Sequence, residues 1–143
     1  MKNNTRVLAI DYGTKRIGLA ISDELRILAT AIGIIEHTER AIAELVKTIE
    51  TERVAAVIIG LPRTMSGGES EMTAEVRGFA AKLQKSLEGT GVTQEFYDER
   101  MSSIIASSNI REQGLSKSKR KQKYRYDEEA ARVILQEYLD SLR

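Results

Sequence analysis

The sequence predicts an α/β fold: a five-stranded mixed sheet, built as an antiparallel meander plus two parallel strands, with helices on both faces. Three observations carry this. The apolar pattern switches between strand and helix periods in the order βββαβαβαα. The first three strands are joined by short links, as a meander requires. Val54-Ala55-Ala56-Val57-Ile58-Ile59 is apolar throughout, as expected of a central parallel strand covered on both faces.

Each element follows from local chemistry. Val7-Leu8-Ala9-Ile10 reads as a buried strand ending at Asp11, and Tyr12 to Lys15 as a tight turn. Arg16 to Ser22 is a second strand, in which Gly18 permits a close approach to the backbone. Ile27 to Glu36 alternates bulky residues and reads as a third. Thr38 to Glu52 has helical spacing, with Ala41, Ile42, Leu45, Val46 and Ile49 on one face and Thr38 as N-cap. Gly60-Leu61-Pro62 ends the fourth strand, and a loop with Gly67-Gly68 follows. A helix over Glu71 to Leu87 turns Val76, Phe79, Ala80, Leu83 and Leu87 inward, and Gly89-Thr90-Gly91 stops it. Val92 to Tyr97 is the last strand. Helices over Ser102 to Glu112 and Asp127 to Leu142 complete the chain.

Length and composition narrow the function. The 143 residues suit a single domain spanning 1–143. Cys is absent, so disulfides and thiolate metal sites are excluded, and oxygen and one imidazole are the only metal ligands available. No stretch approaches the ~18 apolar residues of a membrane span, so a cytoplasmic protein with no membrane partner is expected. The net charge of +1 hides an asymmetry. Lys117, Lys119, Arg120, Lys121, Lys123 and Arg125 lie together between Gly114 and Tyr126 without an acid, which leaves the rest of the chain acidic. This strip reads as a mobile clamp for an acidic polymer, against the plainer reading of a solvated loop.

Three separated acids carry the chemistry: Asp11, the pair Asp98-Glu99, and Asp127. Singly, each has a plain reading. Asp11 begins a turn, Asp98 or Glu99 pairs with Arg100, and Asp127 caps a helix. Together they change in meaning. Asp11 and Asp98-Glu99 end strands, where ligands sit in open α/β sheets. Asp127 is in helical register with Ala131, Ile134 and Tyr138. Converging carboxylates are costly unless a hard cation neutralises them.

These residues resemble a known family. Asp11-Tyr-Gly-Thr-Lys-Arg-Ile-Gly-Leu-Ala20, Gly60-Leu-Pro with Gly67 downstream, Asp98-Glu-Arg-Met-Ser-Ser103 and Asp127-Glu-Glu-Ala-Ala-Arg-Val-Ile-Leu-Gln-Glu-Tyr-Leu139 are similar to the YqgF family, also called RuvX, in order and spacing nearly end to end. The resemblance implies an RNase H-like fold and a metal-dependent nuclease. Family members are described as processing the 5′ end of pre-16S ribosomal RNA, a step of ribosome biogenesis, and some as resolving Holliday junctions. The family's acidic positions fall on Asp11, Glu99 and Asp127, which would be both catalytic and metal-holding. Glu99 is preferred to Asp98 because it stands at the strand's exit. The implied mechanism is phosphodiester hydrolysis with two Mg²⁺ (or Mn²⁺) ions bridged by Asp11. Lys15, Arg16 and Arg100, with the basic strip, would contact nucleic acid.

Other signals are weaker. His37 reads as a capping or surface residue rather than a ligand. Tyr124 and Tyr126 could stack on unpaired bases or anchor the loop. Asp-x-Gly-Thr also opens the phosphate loop of actin-like ATPases, but those need two such domains. A non-catalytic module on the ribosome or transcription machinery is a further alternative. Of the two nuclease substrates, pre-rRNA is favoured over branched DNA. Junction resolution needs a two-fold pair of sites, and only Tyr138 and Leu142 look spare for an interface, so a monomer is expected.

Overall fold

β1 (Arg6–Asp11) lies at the centre of a five-stranded sheet and divides the core in two. The computed structural model describes residues 4–63, 66–99 and 117–143, without the side chains of 117–128. After β1 come β2 (Arg16–Ser22), β3 (Ala29–Glu36), α1 (Ala41–Thr51), β4 (Val54–Leu61), α2 (Glu71–Ser86), β5 (Thr93–Asp98) and α3 (Lys117–Ser141). The sheet order is β3-β2-β1-β4-β5. β1 pairs antiparallel with β2, and β2 with β3. β1–β4 and β4–β5 are parallel. This is the mixed sheet that the sequence predicts.

Side chains alternate across a strand, and the two resulting faces are covered by different helices. Leu8 and Ile10 of β1 and Val57 and Ile59 of β4 pack with Leu45 and Ile49 of α1 and Val76 and Leu83 of α2. Val7, Ala9, Ala20, Ala29 and Ile58 pack with Ala131, Ile134, Leu135 and Leu139 of α3. The small alanines on this second face let α3 lie close to the sheet. Truncating one of its fully buried leucines would cost about 2–5 kcal/mol.

α3 is further tied to both sheet edges. At β3, the Gln136 Oε1 accepts from the Ala29 amide at 2.9 Å, and its Nε2 donates to the Ile27 carbonyl at 2.9 Å. At β5, the Tyr97 hydroxyl donates to Glu137 Oε2 at 2.9 Å, and Tyr138 bonds Glu95. Burial first, and then these acids, push both phenols up to about 12.

Several boundaries differ from the sequence reading. α3 begins at Lys117 rather than Asp127, so the basic strip is helical backbone and Asp127 is internal to the helix instead of its N-cap. The reason is local: no Gly or Pro follows Gly114, and Lys, Arg, Gln, Glu and Leu all sustain a helix. β3 begins at Ala29 rather than Ile27, because Asp23 Oδ1 accepts from the Ile27 amide at 2.7 Å and the Leu28 amide at 3.0 Å. That holds the preceding segment as a turn. It leaves Leu25 (77%), Ile27 (47%) and Leu28 (61%) exposed, and Leu142 (53%) just after α3 is exposed too; Ile27 and Leu28 fall in the strand that the sequence predicts. Tyr138, read as spare, is instead packed on the α3 core. α1 starts at Ala41, since Thr38 Oγ1 accepts from the Arg40 amide at 3.2 Å in a turn before the helix. At α2, Ser70 and Thr73 form a reciprocal capping box that the sequence reading passed over. The expected helix over 102–112 lies outside the described residues.

Candidate active site

The carboxyl ends of β1, β4 and β5 lie side by side, and the two-residue period decides what each presents. Val7 and Ala9 face α3, so Asp11 does too. Ile58 faces α3, and so does Gly60. Tyr97 packs in the α3 cluster, and Glu99, two residues on, shares its face. Asp98 pairs in register with Leu61, which belongs to the opposite, α1–α2 cluster. The alternation therefore separates Asp98 from Asp11 and brings Glu99 to it.

Asp11 and Glu99 are hydrogen-bonded side chain to side chain. Two carboxyls can share such a bond only when one carries a proton. Burial is the main cause holding the Glu99 pKa above the ordinary carboxylate range, and the nearby Asp98 charge adds to it. The bond with Asp11 opposes both.

Glycines give this pair its room. Gly18 of β2 stands opposite Asp11 in the antiparallel register. Gly60 lies one position beyond the Ile10–Ile59 pair of β1 and β4. A Cβ at Gly60 would stand 2.5 Å from Glu99 Oε1, 3.1 Å from its Cγ and 3.2 Å from its Cδ. Gly60 is not the end of its strand, as the sequence suggested, since β4 continues through Leu61. Its lack of a side chain is what lets Glu99 cross over β4 toward Asp11. The Gly60-Leu61-Pro62 sequence signals a strand end equally well, so this clearance is invisible before folding.

The turn after Asp11 is built as tightly. A Cβ at Gly13 would lie 2.3 Å from the Arg16 carbonyl oxygen. His37 Nδ1 donates to the Gly13 carbonyl at 2.9 Å, and its ring meets Tyr12 edge-on with centroids 4.9 Å apart. His37 thus braces the turn that follows Asp11. In that turn, Lys15 is exposed and Arg16 is half-buried.

Among the described residues, no group of three His, Cys, Asp or Glu side chains is placed to hold a metal ion. Asp11 and Glu99 supply two oxygen ligands. Position 127 lies in α3 one turn before the buried Ala131, on the helix that covers the Asp11 face, but the Asp127 side chain is outside the described residues. Arg100 and the side chains of Lys117, Lys119, Arg120, Lys121, Lys123 and Arg125 are outside them too. The donor set of this pair is all oxygen, half-buried and crowded by the like charge of Asp98. That chemistry fits a hard divalent cation.

Comparison with known proteins bears on the family and the fold. The family described as "RuvX: Holliday junction resolvase" matches residues 5–141. A protein of Maridesulfovibrio salexigens named "Putative pre-16S rRNA nuclease" is 41% identical over 136 residues, covering 94% of this chain and 97% of its own. One of Chlorobaculum tepidum with the same name is 39% identical over 139 residues, covering 97% and 96%. Among solved structures, T. thermophilus RuvC in complex with a Holliday junction substrate aligns with a TM-score of 0.59 at 15% identity, covering 96% of this chain and 95% of its own. The fowlpox virus Holliday junction resolvase aligns at 0.56 and 16% identity, covering 95% and 99%. At such identities these two structures speak to the fold alone, and the fold is the RNase H-like one.

Proposed function

The chain belongs to the RuvX family, and from that premise we propose that it is a metal-dependent nuclease acting in 5′-end processing of pre-16S rRNA. The observation that carries this is the hydrogen-bonded, half-buried contact between Asp11 and Glu99 across the bare backbone of Gly60. A purely structural pair of acids would gain nothing from burial beside a third acid, Asp98.

Asp11, Glu99 and Asp127 would hold Mg²⁺ or Mn²⁺. Such an ion, when bound, supplies activation of water and stabilisation of charge at the scissile phosphate. The chain's own groups do the rest. The Asp11–Glu99 pair concentrates the negative charge that selects a cation, and Asp98 strengthens it from the other face. Gly60 leaves the space through which Glu99 reaches Asp11. The braced turn at Gly13 fixes Asp11, and Lys15 and Arg16, with the basic residues at the start of α3, would contact the phosphate backbone.

The test is hydrolysis of a pre-rRNA fragment by wild type and Asp11→Asn. The substitution keeps the side-chain size and removes a charge, so the variant should fold and lose cleavage by at least ~100-fold, as typical of losing a catalytic group. Wild type should cut in Mg²⁺ or Mn²⁺ and bind without appreciable turnover in Ca²⁺. Full activity in EDTA would refute the mechanism. Branched DNA is the second reading, favoured by the exposed Leu25, Ile27, Leu28 and Leu142, apolar residues outside the core that the two-fold pairing needed for junction cleavage could use.

A further inference from the structure

On the opposite face of the sheet from Asp11 lies a cavity of about 390 Å³ that no part of the hydrolysis uses. Part of its wall is aromatic, with Tyr12 and His37 half-exposed and Phe79 buried behind them, and Thr38, Ala41 and Ile42 complete it. Tyr12, His37 and Phe79 touch pairwise, with ring centroids 4.9, 5.1 and 5.6 Å apart. Glu39, Glu75 and Lys82 stand around the rim, and Gly78 of α2 forms part of the lining.

Gly78 is the informative residue. It sits in the middle of a sixteen-residue helix, where glycine is less favourable than alanine. Nothing lies within 4 Å of a Cβ built there, and its φ is not in the left-handed region. Neither packing nor backbone geometry therefore calls for glycine. Gly78 is exposed, and its missing side chain leaves the pocket wall bare at that point.

We propose that this cavity is a subsite for one unpaired nucleobase of the substrate strand, with the aromatic wall as its stacking partner and the rim acids as acceptors for its exocyclic amine. The inference rests on the nuclease reading above. The chemistry of the walls selects the ligand. Two acids against one lysine disfavour a phosphate or another anion in the pocket, whereas a neutral planar ring with an amine donor suits both wall and rim. A base inside a duplex is stacked and out of reach, so the base must be unpaired. The location fits as well. Tyr12 directly follows Asp11, so the cavity and the carboxylate pair open on opposite faces of the same end of β1. A strand crossing that edge would leave its phosphate at Asp11 and drop a neighbouring base behind it.

The test uses a short single-stranded RNA carrying 2-aminopurine at one position, walked past the cleavage point, with the full-length protein in Ca²⁺. Stacking in the cavity should quench the fluorophore at one or two positions and leave it unchanged in a duplex of the same sequence. Gly78→Ala should raise Tm by roughly 4 °C and keep the quench. Gly78→Phe should fold with no loss of Tm, abolish the quench, and weaken single-strand binding by about tenfold, the order of one stacked base. Equal quenching and affinity in Gly78→Phe, or no quenching at any position in wild type, would overturn the subsite. Metal-dependent cleavage is scored separately on unlabelled RNA. If the subsite fails while cleavage still needs the metal, the nuclease reading survives, and cleavage in EDTA would remove that reading regardless of the quench.

Discussion

At the scale of single residues, the site depends on clearance and on charge, and each can be tested apart. Gly60→Ala places a methyl group 2.5 Å from Glu99 Oε1. The side chain of Glu99 can swing aside, so the fold should survive with little change in Tm. Its contact with Asp11 should not survive. Mn²⁺ affinity, measured calorimetrically, should fall by about 10–100-fold, the range typical when a ligand loses its support. Charge is tested by Glu99→Gln. The pKa of Glu99 is raised in the fold, so the folded state holds its proton more firmly than the unfolded chain. The associated stability is fully present below the unfolded value and is lost as pH rises through the folded one. In EDTA, wild type should therefore lose stability relative to Glu99→Gln as melts move from about pH 4 to about pH 8. Mg²⁺ should reverse the order at neutral pH, because only the wild type gains a neutralising ion. A gap that does not vary with pH would mean that Glu99 is not the strained acid.

At the scale of elements, α3 changes the meaning of the basic strip. A loop of lysines would wrap a ligand by folding on it, whereas a helix presents its cations at fixed spacing. Replacing Lys119, Arg120 and Lys121 by Ala keeps helix propensity. It should leave Tm nearly unchanged and flatten the salt dependence of nucleic-acid binding. If all three meet duplex phosphates, the slope should fall by up to ~3, at ~0.9 per contact. An unaltered slope would move the binding groove away from this half of α3. The other half of α3 has a separate duty. Its buried leucines and its ties to Ala29, Ile27, Glu95 and Tyr97 fix the helix across β2 and β1, and so fix where position 127 falls relative to Asp11.

For the whole molecule, the question is one cut or two. Processing one RNA strand requires one site, and a junction requires two sites related by symmetry. A monomer is expected if every apolar face is needed for the core. The exposed Leu25, Ile27, Leu28 and Leu142 weaken that expectation, because they are large apolar residues that the core does not use. Sedimentation with and without junction DNA, alongside cleavage of both substrates, separates the cases. We expect a monomer that cuts the rRNA precursor. A stable dimer that nicks junctions at paired positions and ignores the RNA would reverse the assignment.

The sequence by itself determined the strand order of the chain, the composition of both helical faces over α1 and α2, and the positions where Asp11 and Glu99 leave their strands. Those properties are periodic, and a period of two or 3.6 can be read without knowing what packs against it. The single residues that shape the site were not legible. Gly60 reads as punctuation until Glu99 is seen crossing it, and Gly78 as a weak spot until the space above it is seen. Which of Asp98 and Glu99 reaches Asp11 depended on which helix covers which face of β5. Such facts arise from contacts between segments distant in the chain, so only the tertiary structure could decide them.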